Sequence, residues 1–261
     1  MADVAPLADR RDPWYLRLPV VADVRRSHGL QRGMLIAGLA LTAVLLLTAL
    51  FAPFIAPYSW AQTLDSAGPF GTQQPPSAQH VWGTTVSGFD TFSRVVWGTR
   101  TAVAVIAAAI VFSLFVGVLV GLVSGYLGGW VDRVLVMLAD AIYAFPSLLL
   151  AIVMSIVISG GRSSAWGGIL SAALSITVVF VPQYFRVIRA ETIRLKAEPF
   201  VESAKVIGAP FGRILFGHIF RNATRTLPLI FTLNASEAIL TLAGLGFLGF
   251  GIEPTSAAEW G

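Results

Sequence analysis

A few polar residues interrupt the long apolar runs of this sequence, and they are the first candidates for chemistry. Glu237 and Asn234 lie three residues apart, so a helix would present both on one face. Asp140 lies in another apolar run. A carboxylate inside a membrane helix costs roughly 2.5–3.5 kcal/mol on insertion scales, and such groups commonly line a path for solutes or ions. We therefore treat Asn234, Glu237 and Asp140 as candidate pathway residues.

Structural roles are the alternative for the same residues. An inter-helix hydrogen bond, or the wall of a water-filled cavity without substrate specificity, would also explain Asn234 and Glu237. For Asp140, a bond to a neighbouring helix is favoured over a pathway role. Pro146 follows in the same run and predicts a kink in its helix.

Two further patterns indicate structure rather than a reaction. Asp132 and Arg133 are adjacent, beside a glycine-containing turn, and predict a solvated ion pair. Gly117, Gly121 and Gly125 repeat at a spacing of four, which lets two helices approach closely. We interpret the glycine repeat as a packing surface.

The sequence also excludes several kinds of chemistry. It has no cysteine, which excludes disulfides, thiolate metal sites and cysteine nucleophiles. His28, His80 and His218 lack the spacing of metal ligands, so no metal and no cofactor are expected. The phosphate loop G-x-x-x-x-G-K-[ST] is absent, as are H-E-x-x-H and G-x-S-x-G. We therefore expect no enzyme activity, and any ATP hydrolysis must come from another chain.

Transmembrane helices are the elements that must position the candidate residues. Hydrophobic residues make up 56% of the 261 residues and charged residues 12%, against about 25% charged in a soluble domain. A helix needs about 20 apolar residues to cross the ~30 Å hydrocarbon core. Five runs qualify, at about 34–56, 102–125, 134–158, 168–190 and 227–250. The sequence therefore predicts an all-α polytopic membrane protein.

The basic residues predict how the chain is oriented. They are concentrated before the first apolar run and between the fourth and fifth runs. Cytoplasmic loops carry the excess of Lys and Arg, so segments 1–33 and 191–225 should face the cytoplasm. Two segments on the same side of the membrane must be separated by an even number of crossings, and four apolar runs lie between these two. Topology thus explains the formal charge of +4, and no nucleic-acid module is present.

The stretch EPFVESAKVIGAPFGRILFGHIFRN, residues 198–222, is basic and divided by Pro199, Gly208 and Pro210. Proline suits the first turn of a helix, and glycine tolerates the positive φ that follows a helix end. The pattern predicts a helix, a sharp turn and a second helix. Such short helices are marginal alone, so either the chain itself or a cytoplasmic partner covers their apolar stripes. The expected stripes consist of Phe200, Ala204 and Ile207, with Val201 beside them, and of Phe211, Ile214, Leu215 and Ile219.

Five stretches carry a resemblance to a known family. ESAKVIG resembles the EAA-x-x-x-G cytoplasmic loop of bacterial ABC importer permeases, the loop that docks on the ATPase subunits. Four others resemble the C-type permease of the dipeptide/oligopeptide/nickel importers, and they follow in that family's order. These are HVWGTTVSGFDTFSRVVWGTR (80–100), GYLGGWVDRVLVMLADAIYAFPSLLLAI (125–152), GHIFRNA (217–223) and GFLGFGIEPTSAAEWG (246–261).

The resemblance implies a type I ABC importer transmembrane domain in the bacterial cytoplasmic membrane, multi-pass, with its N-terminus in the cytoplasm. It implies half of a translocation pathway for dipeptides or oligopeptides that works by alternating access. The implied partners are a B-type permease subunit, two cytoplasmic ABC ATPase subunits or domains, an external substrate-binding protein and membrane lipid, with no nucleic acid. The implied ATPase-coupling residues are Glu202, Ser203, Ala204, Gly208, Pro210 and Phe211.

The predicted organisation follows from the runs and the resemblance together. Residues 1–33 form a cytoplasmic segment, 34–56 the first transmembrane helix and 57–101 an external segment. Residues 102–261 form the permease core, with a coupling loop at 191–225, and a sixth span is expected after residue 261. The alternatives are a secondary transporter driven by an ion gradient, with Glu237 or Asp140 carrying protons, and the same family with nickel or glutathione as substrate.

Overall fold

The computed structural model describes residues 19–159 and 165–260, and helices make up most of this part of the chain. The chain divides into two compact units, one ending at Phe51 and the other beginning at Ala52. The long helices are α2 (Gly29–Ile55), α3 (Thr91–Leu127), α4 (Gly129–Tyr143), α5 (Ser147–Ser159), α6 (Ala165–Lys196) and α9 (Leu227–Phe247). The short ones are α1 (Pro19–Arg26), α7 (Pro199–Val206), a π-helix (Arg213–Phe220), α8 (Arg221–Ala223) and a 3-10 turn (Thr224–Thr226). Strands β1 (Leu64–Asp65) and β2 (Gly68–Pro69) form a small antiparallel hairpin.

The number of membrane-spanning helices agrees with the sequence prediction. In the described residues, four helices are long and apolar enough to cross a membrane: Gly29–Ile55, Thr91–Leu127, Gly168–Lys196 and Arg213–Phe247. The pair α4 and α5 provides a fifth if it is counted as one broken span. Large side chains along α2 are exposed, such as Leu41 and Leu50, as expected for a helix that faces hydrocarbon. The prediction of an all-α polytopic membrane protein is confirmed.

The third predicted run is two helices rather than one kinked helix. The axes of α4 and α5 differ by 98° across the residues between Tyr143 and Ser147. Pro146 has no N–H to donate, and its ring disfavours the helical conformation at Phe145. The Pro146 carbonyl then accepts the N–H of Leu150 at 3.0 Å, which begins α5. The kink that Pro146 predicted is therefore a complete break.

Helices α3 and α6 form the centre of the second unit, and the glycine repeat is what brings them together. A Cβ atom added at Gly117, Gly121 or Gly125 would lie between 2.5 and 2.8 Å from atoms of α6. At Gly121 the nearest atoms are the Phe185 carbonyl oxygen at 2.8 Å and Ile188 Cβ at 3.1 Å. Only glycine allows so close an approach. The predicted packing role of the repeat is confirmed.

Asp132 pairs with an arginine other than the one that the sequence predicted. Its carboxylate accepts two hydrogen bonds from Arg189 of α6, at 2.5 and 2.6 Å, and a third from Ser124 of α3 at 2.6 Å. The turn through Gly128, which has a φ of 68°, places Asp132 in the first turn of α4 facing these helices. Arg133 lies on the exposed side. The prediction of a solvated Asp132–Arg133 pair was wrong.

A buried pair fixes the start of α3. Asp90 caps the helix by accepting the Ser93 N–H at 2.8 Å, and its other carboxylate oxygen lies 2.9 Å from Nδ1 of His80. Both side chains are almost fully buried. The rings of Tyr58 and Phe70 pack against the imidazole, with centroids 5.3 and 4.6 Å away. This local network explains why the helix begins well before the apolar run at 102–125.

Two of the quoted stretches, far apart in sequence, contact each other. Arg94 of α3 donates hydrogen bonds to two backbone carbonyls of the segment after α9, at 2.8 and 3.1 Å. The Trp260 indole N–H donates to the Val95 carbonyl at 3.0 Å. The ring packs so closely on Gly98 that a Cβ atom added there would lie 2.8 Å from Trp260 Cδ1. Burial raises the pKa of Glu259 to about 6, and its carboxylate accepts a backbone N–H of the same segment at 2.6 Å. Residues of the stretches 80–100 and 246–260 thus pack against each other.

Candidate functional site

The stretch from Pro199 to Phe220 has the predicted helix, turn and helix. Pro199 lies in the first turn of α7, and Gly208 follows the helix end with a φ of 80°. The N–H of Ala209 returns to the Ala204 carbonyl at 3.0 Å, which closes the turn. Helical structure resumes after Pro210, and from Arg213 it is π-helical, a feature that the sequence pattern did not predict.

The buried face of this stretch differs from the predicted stripes. Val201, Ile214, Leu215 and Ile219 are buried in the core of the second unit. The chain itself therefore covers much of the apolar surface, as one of the two alternatives proposed. Ile207 is 85% exposed, because α7 ends at Val206 and Ile207 lies in the turn.

Phe200 and Phe211 also differ from their predicted places in the stripes. Phe200 is 41% exposed and Phe211 is 47% exposed, so neither is a core residue. Phe211 still has a specific contact, since its ring packs edge-on against Tyr126 at the end of α3, with centroids 4.9 Å apart. Lys196, the last residue of α6, donates to the Tyr126 carbonyl at 2.6 Å. Phe211 is thus connected through Tyr126 to the ends of both α3 and α6.

An apolar tip projects at the turn. Val206 and Ile207 are 89% and 85% exposed, and they precede the exposed Gly208. Large apolar side chains with so little cover are typical of surfaces that another protein contacts. Of the six residues predicted to couple to an ATPase, five are exposed: Glu202, Ser203, Gly208, Pro210 and Phe211; Ala204 is partly buried against the core.

A cavity of about 190 Å³ lies beside the break between α4 and α5. Its polar lining consists of Tyr143, Ser147, Gln183 and Glu237, and apolar side chains complete the wall. The cavity therefore joins the break to one face of α6 and one of α9. Glu237 was predicted from its carboxylate. Gln183 and Tyr143 were missed, although a glutamine after Pro182 in an apolar run was the available signal.

Asn234 lies one turn before Glu237 in α9, but in packed surroundings. It is 2% exposed, and its amide nitrogen makes no hydrogen bond within the described residues. The hydroxyl of Tyr184, on α6, is likewise buried, and it lies close enough to interact with the Asn234 side chain although the two make no hydrogen bond of good geometry. The structure therefore places Asn234 between helices and Glu237 at the cavity wall.

Asp140 makes a bond between helices. Its carboxylate lies 2.8 Å from Nη2 of Arg186 on α6, and both side chains are substantially exposed. The Arg186 guanidinium also stacks over the Tyr143 ring, 4.1 Å from its centroid. Asp140 does not line the cavity. Its contacts match the structural alternative, and the three candidate pathway residues do not form one cluster.

Comparison with known proteins identifies the family. Residues 117–261 match the family model of binding-protein-dependent transport system inner membrane components, and residues 31–76 match the N-terminal TM domain of oligopeptide transport permease C. The chain is 36% identical to the dipeptide transport system permease protein DppC of Alkalihalophilus pseudofirmus, over 87% of this chain and 70% of that protein.

Two further relatives agree with this assignment. The oligopeptide transport system permease protein OppC of Bacillus subtilis is 32% identical, over 86% of this chain and 70% of that protein. The glutathione transport system permease protein GsiD of Pectobacterium atrosepticum is 29% identical, over 97% of this chain and 83% of that protein. These relatives do not support the secondary-transporter alternative. The chain belongs to the binding-protein-dependent transport system inner membrane components, and it is a permease subunit of an ABC importer.

Proposed function

We propose that this chain forms half of the translocation pathway of an ATP-driven importer of short peptides and works by alternating access. Its relatives are named for dipeptides, oligopeptides and glutathione. All three are peptides, since glutathione is a tripeptide. The observation that carries the mechanism is the apolar tip of Val206 and Ile207, presented by a helix, turn and helix that resembles the ATPase-docking loop of such permeases.

The proposed assembly has four kinds of component besides lipid. A B-type permease subunit supplies the other half of the pathway. Two cytoplasmic ATPase subunits or domains supply the energy, and an external binding protein delivers the solute. In this assembly Glu202, Ser203, Gly208 and Pro210 contact the ATPase. Ala204 holds α7 against the core.

The contacts of Phe211 provide a route for the ATPase movement. When the ATPases close on ATP, they displace the tip together with α7 and the π-helix. Phe211 contacts Tyr126 at the end of α3, and Lys196 ties the same residue to the end of α6. Since α3 and α6 pack as one unit through Gly117, Gly121 and Gly125, a displacement of their ends moves both together. Rigid-body motion of packed helices is a common form of alternating access.

Co-purification and reconstitution test the proposal. We expect a tagged chain, extracted from its native membrane, to bring a second permease and ATPase subunits, identified by mass spectrometry. Vesicles that contain the complex and its binding protein should accumulate short peptides only with ATP. The chain alone should hydrolyse no ATP, because it has no phosphate loop. ATPase activity of the isolated chain, or uptake that follows an ion gradient without ATP, would contradict the proposal.

Orientation gives a separate prediction. We propose that segment 1–33 and the loop 191–225 are cytoplasmic and that 57–101 is external; residues 1–18 lie outside the described part of the chain. Ser66 and Ser203 are both exposed, and the chain has no cysteine of its own. A membrane-impermeant maleimide added to intact cells should label Ser66→Cys and leave Ser203→Cys unlabelled until the cells are opened. Equal labelling of both variants in intact cells would refute this topology.

A further inference from the structure

We propose that the cavity beside the α4–α5 break is a subsite for the protonated amino group of the transported solute, with the Glu237 carboxylate as its anionic partner. The inference rests on the proposed function and adds the chemistry that the pathway recognises. The ligand carries an ammonium group next to an amide, as the N-terminus of a short peptide does. Solutes whose amine is blocked bind this subsite poorly.

The Glu237 carboxylate is the group that would attract a cationic solute. Across residues 23–159 and 168–260, whose side chains the structure describes, this carboxylate has no ion pair or hydrogen bond. The two acidic side chains of α4 are satisfied by α6, Asp132 by Arg189 and Asp140 by Arg186. A carboxylate within a membrane span requires a counter-charge or hydration. A cationic ligand group supplies that charge during passage.

The lining around Glu237 suits an amide next to the amine. Gln183 provides an amide, and Ser147 and Tyr143 provide hydroxyl groups. These groups both donate and accept hydrogen bonds, as a peptide bond requires. No lysine or arginine lines the cavity wall as described. Arg186, which stacks on Tyr143, is already paired with Asp140. The local field therefore favours a cation.

The size of the cavity limits how much of a ligand it can enclose. Its volume of about 190 Å³ is below the roughly 300–1,000 Å³ of pockets that enclose a whole small ligand. It accommodates the end of a peptide and leaves the rest outside. Recognition at Glu237 therefore depends on the amino end and is insensitive to the side chains further along the peptide.

Uptake of two matched peptide pools tests the inference. Vesicles containing the complete importer and its binding protein are supplied with ATP and either dipeptides with free amines or the same dipeptides N-acetylated, and their contents are measured by mass spectrometry. The wild type should import the free pool in preference. Glu237→Gln should lower the ratio of free to acetylated uptake about tenfold or more, because it removes a charge-assisted hydrogen bond. Glu237→Asp should keep part of the preference.

The control is Ser236→Ala, which alters the neighbouring exposed residue of α9 and should leave the ratio unchanged. The binding protein is the same in every vesicle, so a difference between variants arises in this chain. Equal import of both pools by the wild type, or an unchanged ratio in Glu237→Gln, would overturn the inference while the proposed function stands. A Glu237→Gln complex that falls apart would also overturn it, because Glu237 would then join subunits. Failure of the wild type to import either pool would refute peptide import itself, and with it this inference.

Discussion

Replacing Gly121 by leucine is expected to prevent stable folding of the second unit. The position faces α6, where even a Cβ atom would lie 2.8 Å from the Phe185 carbonyl oxygen and 3.1 Å from Ile188 Cβ. Ile188 is fully buried, and a carbonyl oxygen of a helix cannot move aside without the helix. The leucine must therefore push α3 and α6 apart. Inserted methylenes in a packed core cost about 1–3 kcal/mol, and more where backbone blocks them.

Size-exclusion chromatography and thermal unfolding in detergent measure this effect. Gly121→Leu should give little monodisperse protein, and Gly121→Ala should give folded protein with a lower unfolding midpoint. The matched control is Gly38→Leu, because Gly38 lies in the apolar helix α2 and a Cβ there meets no atom within 4 Å. A Gly121→Leu chain as monodisperse and heat-stable as the control would show that the glycine repeat does not determine the packing of α3 and α6.

The helices were predictable from sequence because run length in a membrane protein is nearly sufficient. Lipid satisfies no backbone hydrogen bonds, so an apolar run of about 20 residues must be helical. The packing role of Gly117, Gly121 and Gly125 was also predictable, since few other roles need small residues at that spacing. The ends of the helices were harder to predict. The start of α3 depends on Asp90 and His80, a contact that hydropathy does not register.

Contacts between elements explain the remaining errors about the fold. Asp132 is next to Arg133 in sequence, yet it pairs with Arg189, because two glycines turn the chain between α3 and α4. Pro146 indicated a bend but not its size, since the 98° angle depends on what α4 and α5 each pack against. Neighbours in sequence predict local conformation, and only the packed structure decides partners.

The coupling stretch shows the same limit. Its prolines and glycine predicted the helix, turn and helix, because each restricts its own backbone. The exposure of Phe200 and Ile207 was not predicted, because one periodic stripe fits several orientations of so short a helix. The cavity next to Glu237 could not be predicted from the sequence either, since Gln183 and Tyr143 line it from other helices.

Replacing Ile207 by aspartate is expected to abolish ATP-driven uptake while the permease core remains folded. Ile207 is 85% exposed, so the change removes no core contact within the described chain. In the proposed complex it would bury a charge in an apolar contact with the ATPase, where an unpaired carboxylate costs several kcal/mol. Each 1.4 kcal/mol lowers the affinity about tenfold. Ile207→Leu keeps the apolar surface and should retain uptake and ATPase binding.

Gly208→Val tests the geometry of the same tip rather than its chemistry. The φ of 80° at Gly208 strains a β-branched residue by about 1 kcal/mol or more, although a Cβ there meets nothing within 4 Å. The strain should turn the tip and lower ATPase association and uptake about tenfold. Gly29→Val is the matched control, since Gly29 also has a positive φ, of 55°, and open space, but is the first residue of α2.

ATPase recovery in pull-downs, ATP-dependent uptake and the unfolding midpoint are the three measurements for both tip variants. Coupling requires that the first two fall while the third is unchanged, because the core residues Val201, Leu215 and Ile219 are untouched. Glu202→Lys adds a charge change on the exposed face of α7 and should weaken association with a basic ATPase surface. If Ile207→Asp and Gly208→Val both keep their ATPases and full uptake, the tip at Val206 and Ile207 does not couple the permease to its ATPases, and the basic residues of the stretch 198–222 serve only to orient the chain.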